Sequence, residues 1–356
     1  MPNVVYSKSS GLNDTAFGKY EKPIKAIIES ESNICEKNRT IRNELFIIEK
    51  SNRFGEAIVS ETEFGAFQAA AEGAGAENDA IQDGFKKFVE HIQFMKEFTI
   101  TASMAEDAVN GIAASMRQRP KMFTRAYYKT QNDLAAKALA NGHKSTMVFN
   151  KATVDLTTGD GKPLFSKSHL FVKAEHKNKS QSNYFCGNIA SDAATFERAL
   201  ATLSNKMRNF KDENNENLGY IANYIIIPDN RPDFETMVKK VVGSERTVGS
   251  NNNDINTQYG NWTVVVLPGW ETTDDRFMIM SGEANENLMG NLFFNRIPLT
   301  VTNWVDNHTG NYIWNGRCRF GVGFGTWKHI LLAVHTPTTA LSEATALEGF
   351  PITAAG

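Results

Sequence analysis

The chain has 356 residues, of which 41% are hydrophobic and 22% charged; 38 Lys and Arg stand against 40 Asp and Glu, a net charge of −2. Near-neutrality excludes tight, sequence-independent nucleic-acid binding driven by phosphate neutralisation, though not a basic face on one side. The composition excludes global disorder, and the length points to two or more modules.

Three widely separated cysteines, Cys35, Cys186 and Cys318, suit reduced thiols and argue against a disulfide framework. The opening MPNVVYSKSS has no apolar signal core, and no run approaches the length of a membrane span. The expectation is a soluble intracellular protein that does not meet a membrane.

Residues 1–42 read as an arm, with a short helix from Tyr20 to Ser30 that puts Ile24, Ile27 and Ile28 on one side. Leu45-Phe46-Ile47-Ile48 reads as strand, Ser51-Asn52 breaks it, and Ala57-Ile58-Val59 starts another extended piece. A tract of small residues, Ala69 to Ala76, cannot build a core. The chain then returns through Phe85, Phe88, Ile92, Phe94, Phe98 and Ile100. Two apolar legs with a small-residue tip describe a protruding hairpin, each leg of ~10 residues spanning about 33 Å. An isolated hairpin is marginal in water, so its aromatics need a partner surface; the alternative is a hairpin folded back on its own domain.

Ser103 to Gly142 is the longest helical pattern. Ser103 and Glu106 stand at capping-box spacing, and apolar stripes run through Met104, Ala108, Ile112 and Met116, then Phe123, Tyr127, Leu134 and Ala138. Gly142 suits a left-handed terminus. A continuous helix here is about 57 Å long, with a kink or break expected near Arg119 because Pro120 removes a donor. Next come a strand from Thr146 to Val154, a turn cluster Thr157–Gly161, and a helix from Phe196 to Phe210 capped by Ser191 or Asp192. Tyr220–Ile227 reads as a buried strand and Asp233–Val242 as a helix. A polar loop, Ser250–Asn256, precedes the strand Trp262–Leu267. Late strands follow at Phe277–Met280, Leu299–Trp304, Tyr312–Trp314 and Phe320–Phe324, with a last apolar run from His329 to His335. This order is α+β, not a regular βαβ winding.

Motifs for chemistry fail on spacing. Gly161-Lys162 precedes Pro163 and is not a phosphate loop. Gly321-Val322-Gly323-Phe324-Gly325 reads as a close-packed or bulged strand. Ser166, Lys167, Ser168 and His169 lack a nucleophile elbow, and His169, His176 and Cys186 lack metal spacing and read as surface histidines and a thiol. The acidic, Asn-rich Asp212–Gly219 has its glycine too late for a calcium loop. No catalytic, cofactor or metal residue is assigned, and no enzyme is expected. Lys162, Lys167, Lys173, Lys177 and Lys179 form a basic stretch that suits DNA, an acidic neighbour or plain solvent. Trp262, Trp270, Trp304, Trp314 and Trp327 crowd the last third, as core or as an oligomer interface.

Taken in order, these segments resemble a tailed-bacteriophage major capsid (major head) protein of the HK97-like fold, from about Leu45 to Val334. The Glu63–Gly75 tip resembles the extended E-loop of that family, and Ser103–Gly142 the spine helix of its peripheral (P) domain. Asp160-Gly161-Lys162-Pro163-Leu164-Phe165-Ser166-Lys167-Ser168-His169 is similar to a D-G-x-x-L-F-S-x-x-H phrase common there. Tyr224–Pro228, a helix, Ser250–Asn256 and Trp262–Pro268 follow the order of the axial (A) domain. The resemblance implies an α+β, HK97-like capsid fold in these parts: N-terminal arm 1–42, E-loop hairpin and flanks 43–100, P domain 101–184 and 306–340, A domain 185–305, and tail 341–356.

What it implies of function is a virion shell subunit, assembled in the host bacterial cytoplasm through hexamers and pentamers into an icosahedral head around double-stranded DNA. The implied partners are itself, a separate scaffolding protein, a portal protein, and DNA held weakly and without sequence preference. The implied subunit contacts are Phe54, Ile58, Val59, Glu63, Phe64, Phe67, Glu72, Phe85 and Phe88. Lys50, Lys86 and Lys87 lie near the legs, but no matching asparagine marks a crosslink. An encapsulin-like nanocompartment of the same fold is the alternative, and a serine hydrolase using Ser166 or His169 a remote one.

Overall fold

The computed structural model describes residues 4–6, 18–61, 69, 72, 83–107, 114–176, 178–247 and 254–352. A short strand β1 (Val4–Tyr6) precedes helices α1 (Gly18–Lys37) and α2 (Ile41–Leu45) and strand β2 (Ile47–Lys50). Hairpin legs β3 (Gly55–Glu61) and β4 (Asp83–Glu90) follow, and β4 passes through His91 into β5 (Ile92–Ile100). Next are α3 (Ala102–Glu106), α4 (Ala114–Ala140), β6 (Thr146–Phe149), β7 (Ala152–Asp155), β8 (His169–Leu170), β9 (Ser180–Gln181) and β10 (Tyr184–Gly187). Then come α5 (Ala193–Arg208), β11 (Tyr224–Pro228), α6 (Pro232–Gly243), β12 (Thr263–Leu267), β13 (Arg276–Met280) and α7 (Gly282–Asn287). The chain closes with β14 (Asn291–Val305), β15 (Tyr312–Phe324), β16 (Ile330–His335) and β17 (Thr345–Ala346).

Two sheets organise these elements. The five-stranded sheet runs β1-β14-β15-β5, with β2 also on β14; the six-stranded sheet runs β12-β11-β13-β16-β10-β17. In the first, α4 lies across β5 and β15. Phe98 stacks on Trp314 at 5.9 Å and meets Phe123 of α4 at 5.1 Å, while Phe94 stacks on Phe320 at 4.6 Å. On its other side α4 carries α1, whose Ile24 and Ile28 are fully buried and whose Ser32 hydroxyl lies 2.7 Å from that of Tyr128. Part of the expected arm is thus a packed helix, because its isoleucines recur at helical spacing beside an apolar face that accepts them.

The six-stranded sheet is covered by α5 and α6. Phe196 of α5 meets Phe277 edge-on at 5.0 Å and Phe234 of α6 at 5.7 Å. Asp192 caps α5, accepting the Thr195 N–H at 2.8 Å. Ile225, Ile226 and Ile227 of β11 are fully buried, as a strand sandwiched on both faces requires. Trp270, Trp314 and Trp327 are core; Trp262 and Trp304 are half-buried.

Several expectations change. The long helix is described in two pieces: α3 ends at its cap Asp107, and residues 108–113 lie outside the described residues. The cap of α3 is Thr101, whose hydroxyl accepts the Met104 N–H at 3.3 Å, rather than Ser103. The expected break is not found: α4 runs on through Pro120 for 27 residues, about 40 Å. Burial of Met116, Phe123, Tyr127 and Leu134 outweighs the one lost backbone bond. Thr146 to Val154 is a hairpin, not one strand, turned at Asn150 (φ 46°) and Lys151 (φ 72°), the left-handed pair a two-residue turn needs. The two pieces at Tyr312–Trp314 and Phe320–Phe324 are one 13-residue strand. The sheets also cut across the expected segment boundaries. β14, inside 185–305, pairs with β15, while β16, inside 306–340, sits in the six-stranded sheet between β13 and β10.

Candidate assembly surface

A buried polar cluster sits where the 157–170 loop meets the six-stranded sheet. Asn183, at the start of β10, donates through Nδ2 to the carbonyls of Leu164 (2.8 Å) and Ile330 (3.1 Å). Its Oδ1 therefore accepts, taking the Ser166 N–H at 2.9 Å and His169 Nε2 at 3.1 Å. His169 is fully buried, stacks on Trp327 at 4.4 Å, and reaches Asp160 Oδ2 with Nδ1 at 2.8 Å. Both ring nitrogens are thus engaged. Asp160 also accepts from the Thr158 hydroxyl and the N–H groups of Lys162 and Leu170. The D-G-x-x-L-F-S-x-x-H phrase is thus a clasp, fastening the 157–170 loop to the strand after Trp327. His169 is not a surface histidine, because sequence spacing could not show Asp160, Asn183 and Trp327 closing over it. With both nitrogens engaged, it has none left to activate Ser166.

A second clasp sits at the start of β14. Asn291 donates through Nδ2 to the Leu45 carbonyl at 3.0 Å, so its Oδ1 accepts from His329 Nε2 at 2.8 Å. Complete burial pushes His329 down to about 3. The unfolded chain binds a proton there near the ordinary value of 6.5 while the folded one does not, so stability is whole above that value and falls as pH drops towards 3. Asp160 works in a lower window. Burial alone would raise its pKa, but hydrogen bonds from His169, Thr158 and Lys162 outweigh this and hold it below the usual carboxylate range. Its contribution is lost only as pH falls through that lowered value. Melting curves between pH 6 and 4 should show stability falling by about 1.4 kcal/mol per pH unit on account of His329. His329→Gln should flatten that slope; an unchanged slope would remove His329 as its source.

The hairpin legs are seated beside this junction by glycines. A Cβ on Gly321 would stand 2.8 Å from the Glu90 carbonyl, and one on Gly323 would fall inside the Val89 side chain. The tight-strand reading of the glycine run therefore has a specific content: β15 is bare where β4 crosses it. On the inner face Ile58 and Val89 pack with Leu292 and Phe294. At the base His91 Nε2 lies 2.8 Å from the Ser51 hydroxyl, which donates to Glu56 at 2.6 Å. Lys87 is buried and ion-paired with Asp155, donating also to Thr157 at 2.7 Å. On the outer face Phe88 (55% exposed), Phe54 (59%) and Val59 (41%) show apolar surface to solvent.

The expected contact residues therefore divide. Phe54, Val59 and Phe88 point outward, although the Arg319 guanidinium lies over the Phe54 ring at 5.0 Å. Ile58 points inward, since alternation along a strand sends it opposite Val59. Phe85 is half-buried against the Gly159 turn. Glu72 is exposed, while Glu63, Phe64 and Phe67 lie outside the described residues. Of the basic stretch, Lys162 and Lys173 are half-buried, and Lys167 and Lys179 are exposed. Lys173 donates to Asn214 and Lys167 to the Ser342 carbonyl at 2.6 Å. Lys177, and Ser250–Asn253 of the polar loop, lie outside the described residues. Among the described residues no group of three or more His, Cys, Asp or Glu is placed to hold a metal, and no helix is long and apolar enough to cross a membrane. Asn183, Asn291 and His329 were not singled out from sequence, where a lone Asn or His before an apolar run carries no signal.

A family model described as phage capsid protein matches residues 95–333. No curated protein matches in sequence. Among solved structures, the chain is similar to the capsid of cyanophage P-SCSP1u, with 10% identity, a TM-score of 0.50, and 84% of this chain and 88% of that one covered. It is also similar to a chain of Mycobacterium phage Patience, with 12% identity, a TM-score of 0.49, and 95% and 92% covered. At 10% identity the likeness to the cyanophage capsid speaks for the fold alone.

Proposed function

This chain belongs to the phage capsid protein family, a structural subunit of the virion head shell, and from that premise we propose that copies of it close an icosahedral shell of hexamers and pentamers around double-stranded DNA. The observation that carries this reading is the two-faced hairpin: Ile58 and Val89 anchor it to its own chain, leaving Phe54, Val59 and Phe88 as an apolar face for a neighbouring copy. Burying such a face stabilises each contact modestly, at about 25 cal/mol per Å² of apolar area, and closure repeats it around the shell.

In this reading the hairpin is the E-loop, the five-stranded sheet with α4 the P domain, and the six-stranded sheet with α5 and α6 the A domain. Residues 1–42 form the arm and 341–356 the tail. A separate scaffolding protein and a portal complete the assembly in the host cytoplasm, and the subunit itself performs no catalysis. The test is Val59→Asp with Phe88→Asp. The melting temperature should stay near that of the parent, and particles seen by electron microscopy should fall at least about tenfold, since each closed shell repeats the damaged contact many times. Shells at parental yield would contradict the proposal. Parent particles filled with protein cargo and free of nuclease-protected DNA would favour the nanocompartment.

A further inference from the structure

On α4, Arg117, Lys121, Arg125 and Lys129 recur at every fourth position, and all are exposed. At 3.6 residues per turn, successive members drift by about 40° and rise about 6 Å, so the stripe winds over about 120° of the helix and about 18 Å of its length. Exposed Gln118 also falls within that arc and exposed Met122 borders it; no carboxylate interrupts it. Arg125 is partly neutralised by the buried Glu31. Arg117, Lys121 and Lys129 have no ion-pair partner among the described residues. Lys96 of β5, also exposed, lines the groove beside Ala126 and Thr130 and extends the positive surface. In a chain of net charge −2 this is a local concentration, distinct from the 162–179 stretch, two of whose lysines are tied within the chain.

We propose that this arc of α4, carrying Arg117, Lys121 and Lys129, is the luminal face of the subunit and contacts the phosphate backbone of packaged duplex DNA without sequence preference. The proposal rests on the shell reading above. A protein partner of ordinary interface size needs an apolar, desolvated centre, and this arc has only Met122 at its border. Flexible cations spaced along a rod match a phosphate backbone instead, which is bound through charge and without reading bases. Three free charges per subunit give contacts that are individually weak and salt-labile, as a container that later releases its DNA requires.

Two measurements test it. In intact particles bearing Lys121→Cys, or Lys129→Cys if the first does not assemble, a maleimide on a polymer too large to cross the shell should label no more than in the parent, whose half-buried Cys35 sets the background. Labelling should appear once the particles are broken open. Labelling of intact particles overturns the luminal assignment; a parent chain that yields no particles overturns the shell reading itself and the assignment with it. With soluble subunits and a short fluorescent duplex, the triple change Arg117→Gln, Lys121→Gln, Lys129→Gln should reduce the slope of log K against log salt by roughly 2 to 3, at about 0.9 per lost phosphate contact. The triple Lys162→Gln, Lys167→Gln, Lys179→Gln should leave it in place. Equal slopes for the parent and the α4 variant overturn the proposal. So does an α4 variant that loses binding to polyglutamate while keeping the duplex, which would assign the stripe to an acidic protein.

Discussion

Asn183→Leu should be among the most damaging single substitutions in the chain. It keeps the branched shape but withdraws the partner of the Leu164 and Ile330 carbonyls, the Ser166 N–H and His169 together. Each buried group left unpaired costs about 1–3 kcal/mol, so the four together cost roughly 4–12 kcal/mol, against a native stability of about 5–15 kcal/mol. The expected result is a chain recovered mostly in the insoluble fraction, with any soluble remainder melting well below the parent. Asn183→Asp should be nearly as harmful at neutral pH for a different reason. It keeps the oxygen that accepts from Ser166 and His169 but turns a carboxylate towards two carbonyls. A leucine variant melting within about 2 °C of the parent, the shift expected from under 1 kcal/mol, would show that the site tolerates unpaired groups and that the clasp is not what holds the 157–170 loop to the six-stranded sheet.

Gly323→Val should act on assembly more than on folding. The added Cβ enters the space of Val89, which cannot retreat because Ile58, Leu292 and Phe294 surround it. Overpacking of this kind costs about 1–3 kcal/mol, and the cheapest relief is for β4 to lift from β15. The subunit should remain soluble with its sheets intact while protease cleavage within 55–90 rises and particle yield collapses. Gly243→Ala is the matched control: a Cβ there meets nothing, so it should leave both readouts unchanged. Parental yield from Gly323→Val would mean that the leg can shift on its seat without disturbing the neighbour.

Some of this was legible in the residues themselves. Strands β11 and β13, helices α5 and α6, and the cap Asp192 follow from apolar periodicity and local hydrogen bonding, which operate over a few residues and leave their mark there. The tightness of the Gly321–Gly325 strand and the hairpin's legs at Ala57–Val59 and Phe85–Phe88 were readable for the same reason, but Ile92–Ile100, read as more of the returning leg, is β5 of the five-stranded sheet. The basic stripe on α4 is also legible as four cations at fourth positions, though the kink or break expected near Arg119 interrupts it.

The rest was decided by partners distant in the chain. Whether Pro120 ends a helix depends on the sheet that Phe123, Tyr127 and Leu134 pack against, and no local rule contains that sheet. Ile58 and Val59 are interchangeable in sequence; only the position of Leu292 and Phe294 makes one an anchor and leaves the other facing outward. His169 and His329 looked like any histidine until Asn183 and Asn291 supplied oriented acceptors in a dry interior. Sequence alone thus determined the elements and the shell family they resemble. The tertiary structure decided which strands share a sheet, which face of the hairpin is left over, and which polar groups are clasped, because pairing and burial are properties of two segments at once.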